Sequence, residues 1–183
     1  MKMSLTDSYT NCLETLYGLR RFGIKLGLST IRRILNGLGS PLDRTAFIHV
    51  AGTNGKGSIA SALAAILHLS GYKVGLYTSP HLVKFNERIC INGLPIYDEN
   101  VVASYEAVKS VNYGGREPTF FEFATAMALY EFGRQKVDWA VIETGMGGRL
   151  DATNIIKPAL SIISNISIEH REYLGNTIAQ ITG

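Results

Sequence analysis

The sequence predicts an α/β protein with a mainly parallel sheet covered by helices on both faces. Three observations carry that expectation. Short apolar runs of strand length alternate with longer stretches of helical length. The runs Val137 to Thr144 and Ala159 to Ile166 are apolar almost without interruption, as parallel strands buried on both sides usually are. The first run, Ala46 to Val50, feeds straight into a glycine-rich turn that opens a helix.

Taken in chain order, the first element assigned is a helix capped by Ser29. Its apolar face holds Ile31, Ile34, Leu35 and Leu38, and it stops at Gly37 to Gly39 ahead of Pro41. The strand Ala46 to Val50 follows. Beyond the glycine turn, Ile59 to Ser70 is rich in alanine and leucine and predicts a helix ended by a left-handed Gly71. Lys73 to Tyr77 is the second strand. Thr78 to Pro95 shows no period and is assigned as irregular, with a basic and polar cluster at Lys84, Asn86, Glu87 and Arg88. A helix capped by Asp98 runs to about Val111, and another spans roughly Thr119 to Arg134, before the two last strands. Thr177 to Gly183 begins an amphipathic pattern with no room to finish, so residues 1–183 are expected to form one domain that is incomplete at its C-terminal end.

The 183 residues, 46% apolar and 18% charged, fit a globular domain with a sizeable core. A net charge of +3, with Lys and Arg dispersed, gives no basic patch for nucleic acid. Cys12 and Cys90 have no metal spacing and no companion pair, which fits a reducing compartment. The N-terminus lacks the apolar core of a signal peptide, and Ile59 to Leu69 is too short and interrupted to span a bilayer. A cytoplasmic location without membrane attachment is expected.

The stretch His49-Val50-Ala51-Gly52-Thr53-Asn54-Gly55-Lys56-Gly57-Ser58 has the makings of a phosphate cradle. Glycines let several N–H groups point at one anion, the helix N-terminus adds partial positive charge, and Lys56 adds a full one. The spacing departs from G-x-x-x-x-G-K-[ST]: Val50 stands at the first glycine and Gly57 separates Lys56 from Ser58. Ligands of open α/β sheets sit outside the carboxyl ends of strands, so polar residues there matter most. Those positions hold Thr78, Ser79 and His81 after the second strand, Glu143 at the tip of the third, and Asn165, Glu169 and His170 after the fourth. A strand-end carboxylate beside a phosphate cradle is where magnesium would be held. On physics alone His170 fits a capping role as well as a ligand role, and Ser79 before proline is common turn chemistry. The run Glu143 to Asn154, with Gly145, Gly147 and Gly148, lets backbone pass close to a bound group, while Arg149, Asp151, Thr153 and Asn154 supply donors and acceptors.

Together, Gly52 to Ser58, Thr78-Ser79-Pro80-His81-Leu82 with Asn86-Glu87-Arg88, Thr119-Phe120-Phe121-Glu122 and the Glu143 to Asn154 run resemble folylpolyglutamate synthase and dihydrofolate synthase, of the Mur ligase superfamily. The resemblance covers about Gly23 to Gly183. It implies a three-layer P-loop NTPase-like domain of the Mur-ligase central type. The implied activity is ATP-dependent ligation of L-glutamate to dihydropteroate or folates through an acyl phosphate, in folate biosynthesis and one-carbon metabolism, by a protein monomeric at full length. It implies that Thr53, Asn54, Gly55, Lys56, Gly57 and Ser58 bind ATP, that Ser79, Glu143 and His170 ligate Mg2+, and that Lys56, Glu143 and His170 are catalytic. Ile24, Lys25 and Leu26, with Thr119, Phe120, Phe121 and Glu122 and with Leu150, Asp151 and Ala152, would line the pterin site. The family usually has valine, leucine and aspartate where this chain has Thr144, Met146 and Glu169.

The same resemblance implies a modified lysine and a second, C-terminal ligase domain beyond Gly183, so these residues alone are expected to be inactive as a ligase. Other readings stay open: a different Mur-type amide ligase, another P-loop phosphotransferase, or a module that binds nucleotide or pterin without turnover. Nothing in the sequence separates dihydrofolate synthase from folylpolyglutamate synthase activity.

Overall fold

The fold is described from a computed structural model covering residues 4–39 and 44–182. Six strands form one sheet: β1 (Ala46–Ala51), β2 (Val74–Tyr77), β3 (Ile89–Ile91), β4 (Leu94–Pro95), β5 (Trp139–Glu143) and β6 (Leu160–Ile163). Their order is β4-β3-β2-β5-β1-β6, with β2, β5, β1 and β6 mutually parallel and β3 and β4 antiparallel at one edge. Around the sheet lie helices α1 (Leu5–Gly18), α2 (Ser29–Gly37), α3 (Lys56–Leu69), α4 (Asp98–Lys109), α5 (Phe120–Gln135), α6 (Arg171–Leu174) and α7 (Ile178–Thr182).

Strand alternation divides the core. Ile48, Val50, Val74 and Val141 point to one face and pack on Ala60 and Ala64 of α3. Phe47, Tyr77, Ala140 and Ile142 point to the other and meet α1, α2, α4 and α5. Helix α5 lies buried along most of its length, and a β-carbon added to Gly75 of β2 would come within 2.6 Å of the Phe132 ring. This close seat for α5 fixes where its N-terminal residues, Thr119 to Glu122, stand against the strand ends.

Several expectations need correction. Residues 5–18, left unassigned from sequence, form α1, whose N-cap Ser4 accepts a hydrogen bond from the Asp7 N–H. Ser29 does not cap α2: it is the first helical residue after Leu28, and no side chain caps that end. Asp98 likewise begins α4 instead of capping it; its Oδ1 accepts from Asn86 Nδ2 at 2.9 Å while its charge suits the first helical turn. The irregular stretch Thr78 to Pro95 holds a 3₁₀ turn at Phe85–Arg88 and the hairpin β3–β4, turned by Asn92 and Gly93 at φ 51° and 79°. The last strand is only four residues long and largely exposed, with Leu160 at 49% and Ile163 at 64%, because it is the edge of the sheet in these residues. Pro41 lies outside the described residues.

Candidate functional site

The parallel register brings four strand ends to one edge. Val50 pairs with Glu143, Tyr77 with Ile142, and Ala51 with Ile163, so the glycine turn, Ser79, Glu143 and the segment after β6 rise from neighbouring positions. Four parallel neighbouring strands thus end at one edge of the sheet.

The turn from β1 to α3 is held in shape from the side by the segment after β6. Asn165 accepts the Thr53 N–H through its carbonyl at 2.8 Å and the Asn54 N–H through Oδ1 at 2.9 Å. Thr53 Oγ1 accepts the Ser167 N–H at 3.0 Å and donates to the Ser167 carbonyl at 3.3 Å. Gly52 is required for this approach: its φ is 127°, and a β-carbon would stand 2.1 Å from Ser164 Oγ and 2.8 Å from the Asn165 carbonyl oxygen. Gly55 caps α3 in the left-handed region, and Lys56 is the first residue of the helix. The Lys56 ammonium folds back on the Gly52 and Thr53 carbonyls at 2.8 and 3.0 Å. The cradle therefore joins a helix N-terminus to a full positive charge, the arrangement anions favour.

Glu143 stands beside it, 5% exposed. Its Oε2 accepts the Ser79 N–H at 2.9 Å, and a β-carbon on Gly57 would be 3.5 Å from both carboxylate oxygens. Burial pushes this carboxyl above the usual carboxylate range, opposed by the Ser79 N–H and by the Lys56 charge. A carboxylate desolvated to that degree, with lone pairs left after its backbone bonds, gains most from a hard cation. His170 is not brought into this group. It is exposed, left-handed at φ 48° as the N-cap of α6, and among the described residues no hydrogen bond joins it to Glu143 or Ser79.

In the glycine-rich run after β5, Asp151 is buried and accepts from the Met146 and Thr153 N–H groups at 2.8 and 3.0 Å and from Thr153 Oγ1 at 2.5 Å. Thr153 Oγ1 is 2.8 Å from Nε2 of buried His49, which ties the run to β1. Burial lowers the His49 pKa and the nearby Asp151 charge opposes it. Asp151 therefore shapes the run from inside, while Leu150 is exposed at its tip and its carbonyl accepts the Gly27 N–H at 3.0 Å. That bond brings exposed Ile24, Lys25 and Leu26 alongside Leu150. Between the run and the phosphate turn lies a cleft of about 390 Å³, lined by Leu26, Gly52, Thr53, Gly148, Leu150 and Glu169 among others.

At the start of α5, Thr119 and Glu122 cap each other. Thr119 Oγ1 accepts the Glu122 N–H, and Glu122 accepts from the Thr119 N–H and hydroxyl and, bidentately, from Arg116 at 2.7 and 2.8 Å. Both side chains are buried, and they hold the start of α5, with Phe120 and Phe121, in place. Phe120 stacks on Tyr17 with centroids 5.9 Å apart, and Phe121 meets Tyr77 at 6.1 Å. Ala152 is buried in the core with them. Sequence reasoning did not foresee the bracing roles of Asn165, Ser167 and His49; the signal available was their position on or just past strands that flank the cradle.

A parallel sheet whose edge carries a glycine cradle, a helix-start lysine and a buried strand-tip carboxylate is an α/β domain of the P-loop nucleoside-triphosphatase type. Residues 50–182 match the Mur ligase middle domain, and the chain belongs to that family. It is 41% identical over 184 residues to dihydrofolate synthase/folylpolyglutamate synthase of Bacillus subtilis (strain 168), covering 96% of this chain and 42% of that protein. It is 39% identical over 180 residues to folylpolyglutamate synthase of Lacticaseibacillus casei, covering 95% and 42%. Among solved structures, Escherichia coli FolC in complex with DHPP and ADP superposes with a TM-score of 0.87 at 36% identity, covering 93% of this chain and 42% of that one. An FPGS–AMPPCP–folate complex gives 0.83 at 40% identity, covering 94% and 44%. The chain thus spans 42% of the length of these two curated relatives.

Proposed function

We propose that the protein is an ATP-dependent ligase that joins L-glutamate to dihydropteroate or folates through an acyl phosphate. The observation that carries this reading is the seating of buried Glu143 against the phosphate turn, with Lys56 at the start of α3. The names of the relatives and the nucleotide and folate held by their solved structures support the choice of substrates. Residues Thr53 to Ser58 hold the triphosphate, and Lys56 leaves its loop carbonyls to offset charge on the transferring phosphoryl group. A carboxylate is a poor acylating agent; phosphorylation makes its oxygen a leaving group that the glutamate amine displaces.

The residues fit magnesium. Glu143 supplies a desolvated anionic oxygen, with Ser79 beside it and His170 the third ligand that the resemblance implies. Among the described residues no group of three or more His, Cys, Asp or Glu is gathered to hold a metal, so a cation here would depend on phosphate and water for most of its oxygens. Bound there, it would neutralise phosphate charge. Ile24 to Leu26, Phe120, Phe121 and Leu150 line the pterin side, with Thr119, Glu122, Asp151 and Ala152 shaping it from beneath. Among the described residues no helix is long and apolar enough to cross a membrane.

The test is incorporation of labelled glutamate into dihydropteroate and tetrahydrofolate by the full-length protein, with ATP and magnesium omitted in turn. Product that requires both, and that Glu143→Gln reduces by orders of magnitude, is the expected outcome. Product formed without ATP, or a Glu143→Gln variant as active as wild type, contradicts the reading.

A further inference from the structure

Arg88 is 5% exposed, yet among the described residues no carboxylate forms an ion pair with it; the arginine ion pairs there are Arg116–Glu122 and Arg134–Glu131. A neutral partner holds it: Nε donates to His81 Nδ1 at 2.7 Å. A buried charge without a direct ion-pair partner is costly, and the cost falls when a ligand brings an anion into contact with it.

The side chain is also aimed. The Arg88 guanidinium lies 5.1 Å from the Phe120 ring centroid, and Phe120 is held by its stack on Tyr17. Tyr17 Oη in turn lies 3.4 Å from His81 Nε2, so the histidine that positions Arg88 is itself braced. A second guanidinium, that of exposed Arg20, sits 5.1 Å from the same Phe120 ring and 4.4 Å from Tyr17. Two cations therefore converge on one aromatic pair. The Arg88 carbonyl accepts the Thr78 N–H at 3.0 Å and the next residue, Ser79, donates its N–H to Glu143, which puts Arg88 at the strand-end edge with the phosphate turn.

We propose that Arg88, positioned by His81 and assisted by Arg20, binds the carboxylate of the acid substrate and presents it to the phosphate turn. This rests on the ligase reading above. A carboxylate is favoured over a nucleotide phosphate because phosphates have their own cradle at Gly52 to Ser58, while Arg88 stands on the Phe120 side with a planar fork suited to a planar anion.

The experiment compares binding of dihydropteroate and of its carboxamide, which lacks the charge, to the full-length protein as wild type, Arg88→Met and Arg20→Met, with ATP affinity measured alongside. Wild type is expected to prefer the carboxylate by about 10- to 100-fold, the value of a charge-assisted pair. Arg88→Met should erase that preference, with carboxamide and ATP affinities changed by less than about threefold. A retained preference, or a loss that falls on ATP instead, overturns the inference. If Arg88→Met fails to fold by circular dichroism, the exposed Arg20→Met decides: a weakened preference supports the site and an unchanged one refutes it. Absence of any dihydropteroate binding by wild type would instead overturn the ligase reading, and this inference with it.

Discussion

Glu122 offers a sharp separation of a structural from a ligand role. Glu122→Ala removes four hydrogen bonds: two from Arg116, one from the Thr119 N–H and one from the Thr119 hydroxyl. The Arg116 side chain is 38% exposed and rehydrates when its partner goes, so the ion pair itself contributes about 1 kcal/mol or less. Thr119 is 4% exposed, and its N–H would be left buried without an acceptor, costing about 1–3 kcal/mol. Loss of the cap and the void left by a side chain only 1% exposed bring the expected total to about 3 kcal/mol. For a chain of this size that is a fall in melting temperature of roughly 6–12 °C, read by differential scanning calorimetry. Arg116→Ala should fall by a comparable amount, since it leaves the buried Glu122 carboxylate without its counter-charge. If Glu122→Ala melts within about 1 kcal/mol of wild type yet loses pterin affinity, the carboxylate is a direct ligand and the bracing role assigned to it is wrong.

Lys56→Ala should abolish turnover while changing stability by no more than about 1 kcal/mol, since the ammonium bonds only loop carbonyls; wild-type-like product formation would sink its phosphate role. Thr144 Oγ1 is buried with no hydrogen-bond partner among the described residues, so Thr144→Val should raise stability by about 1 kcal/mol, and a clear loss on thermal melting would mean the hydroxyl is bonded after all. His49 titrates below its ordinary 6.5 because it is buried, so the unfolded chain takes up a proton that the folded one refuses. Its contribution is complete above about pH 6.5 and declines as pH falls toward the lowered folded value. The stability advantage of wild type over His49→Gln should shrink between about pH 7 and about pH 5, and a constant difference would refute the buried neutral histidine.

The cradle was legible because its needs are local: an apolar strand, glycines that permit the turn, and a lysine at the helix start all lie within Ala46 to Ser58. The helix expected from about Thr119 was legible too, but its capping box, which closes over only three residues, was not read and makes Thr119 the N-cap of α5 instead of its first residue. The hairpin β3–β4 was missed although Asn92-Gly93 is a strong turn signal, because its strands are three and two residues long and show no alternation. Helix α1 escaped assignment because only Cys12 and Leu16 are buried along it, too few to mark a periodic face. Asp151 and Glu122 illustrate a different limit. Both lie in motifs shared with a ligand-binding family, but whether a carboxylate meets ligand or backbone depends on contacts that the local sequence does not specify. Arg88 stands at the same limit: that no carboxylate among the described residues forms an ion pair with it is a property of the packed site.

In the proposed reaction the acid substrate is activated by transfer of the γ-phosphoryl group at the edge formed by Lys56 and Glu143. That transfer is tested most directly by supplying the full-length protein with dihydropteroate labelled with ¹⁸O in its carboxylate, together with ATP, magnesium and glutamate, and analysing the released phosphate by mass spectrometry. Attack of a carboxylate oxygen on the γ-phosphorus, followed by displacement of phosphate by the amine, predicts one ¹⁸O in each phosphate formed. Amide product accompanied by unlabelled phosphate would contradict the account.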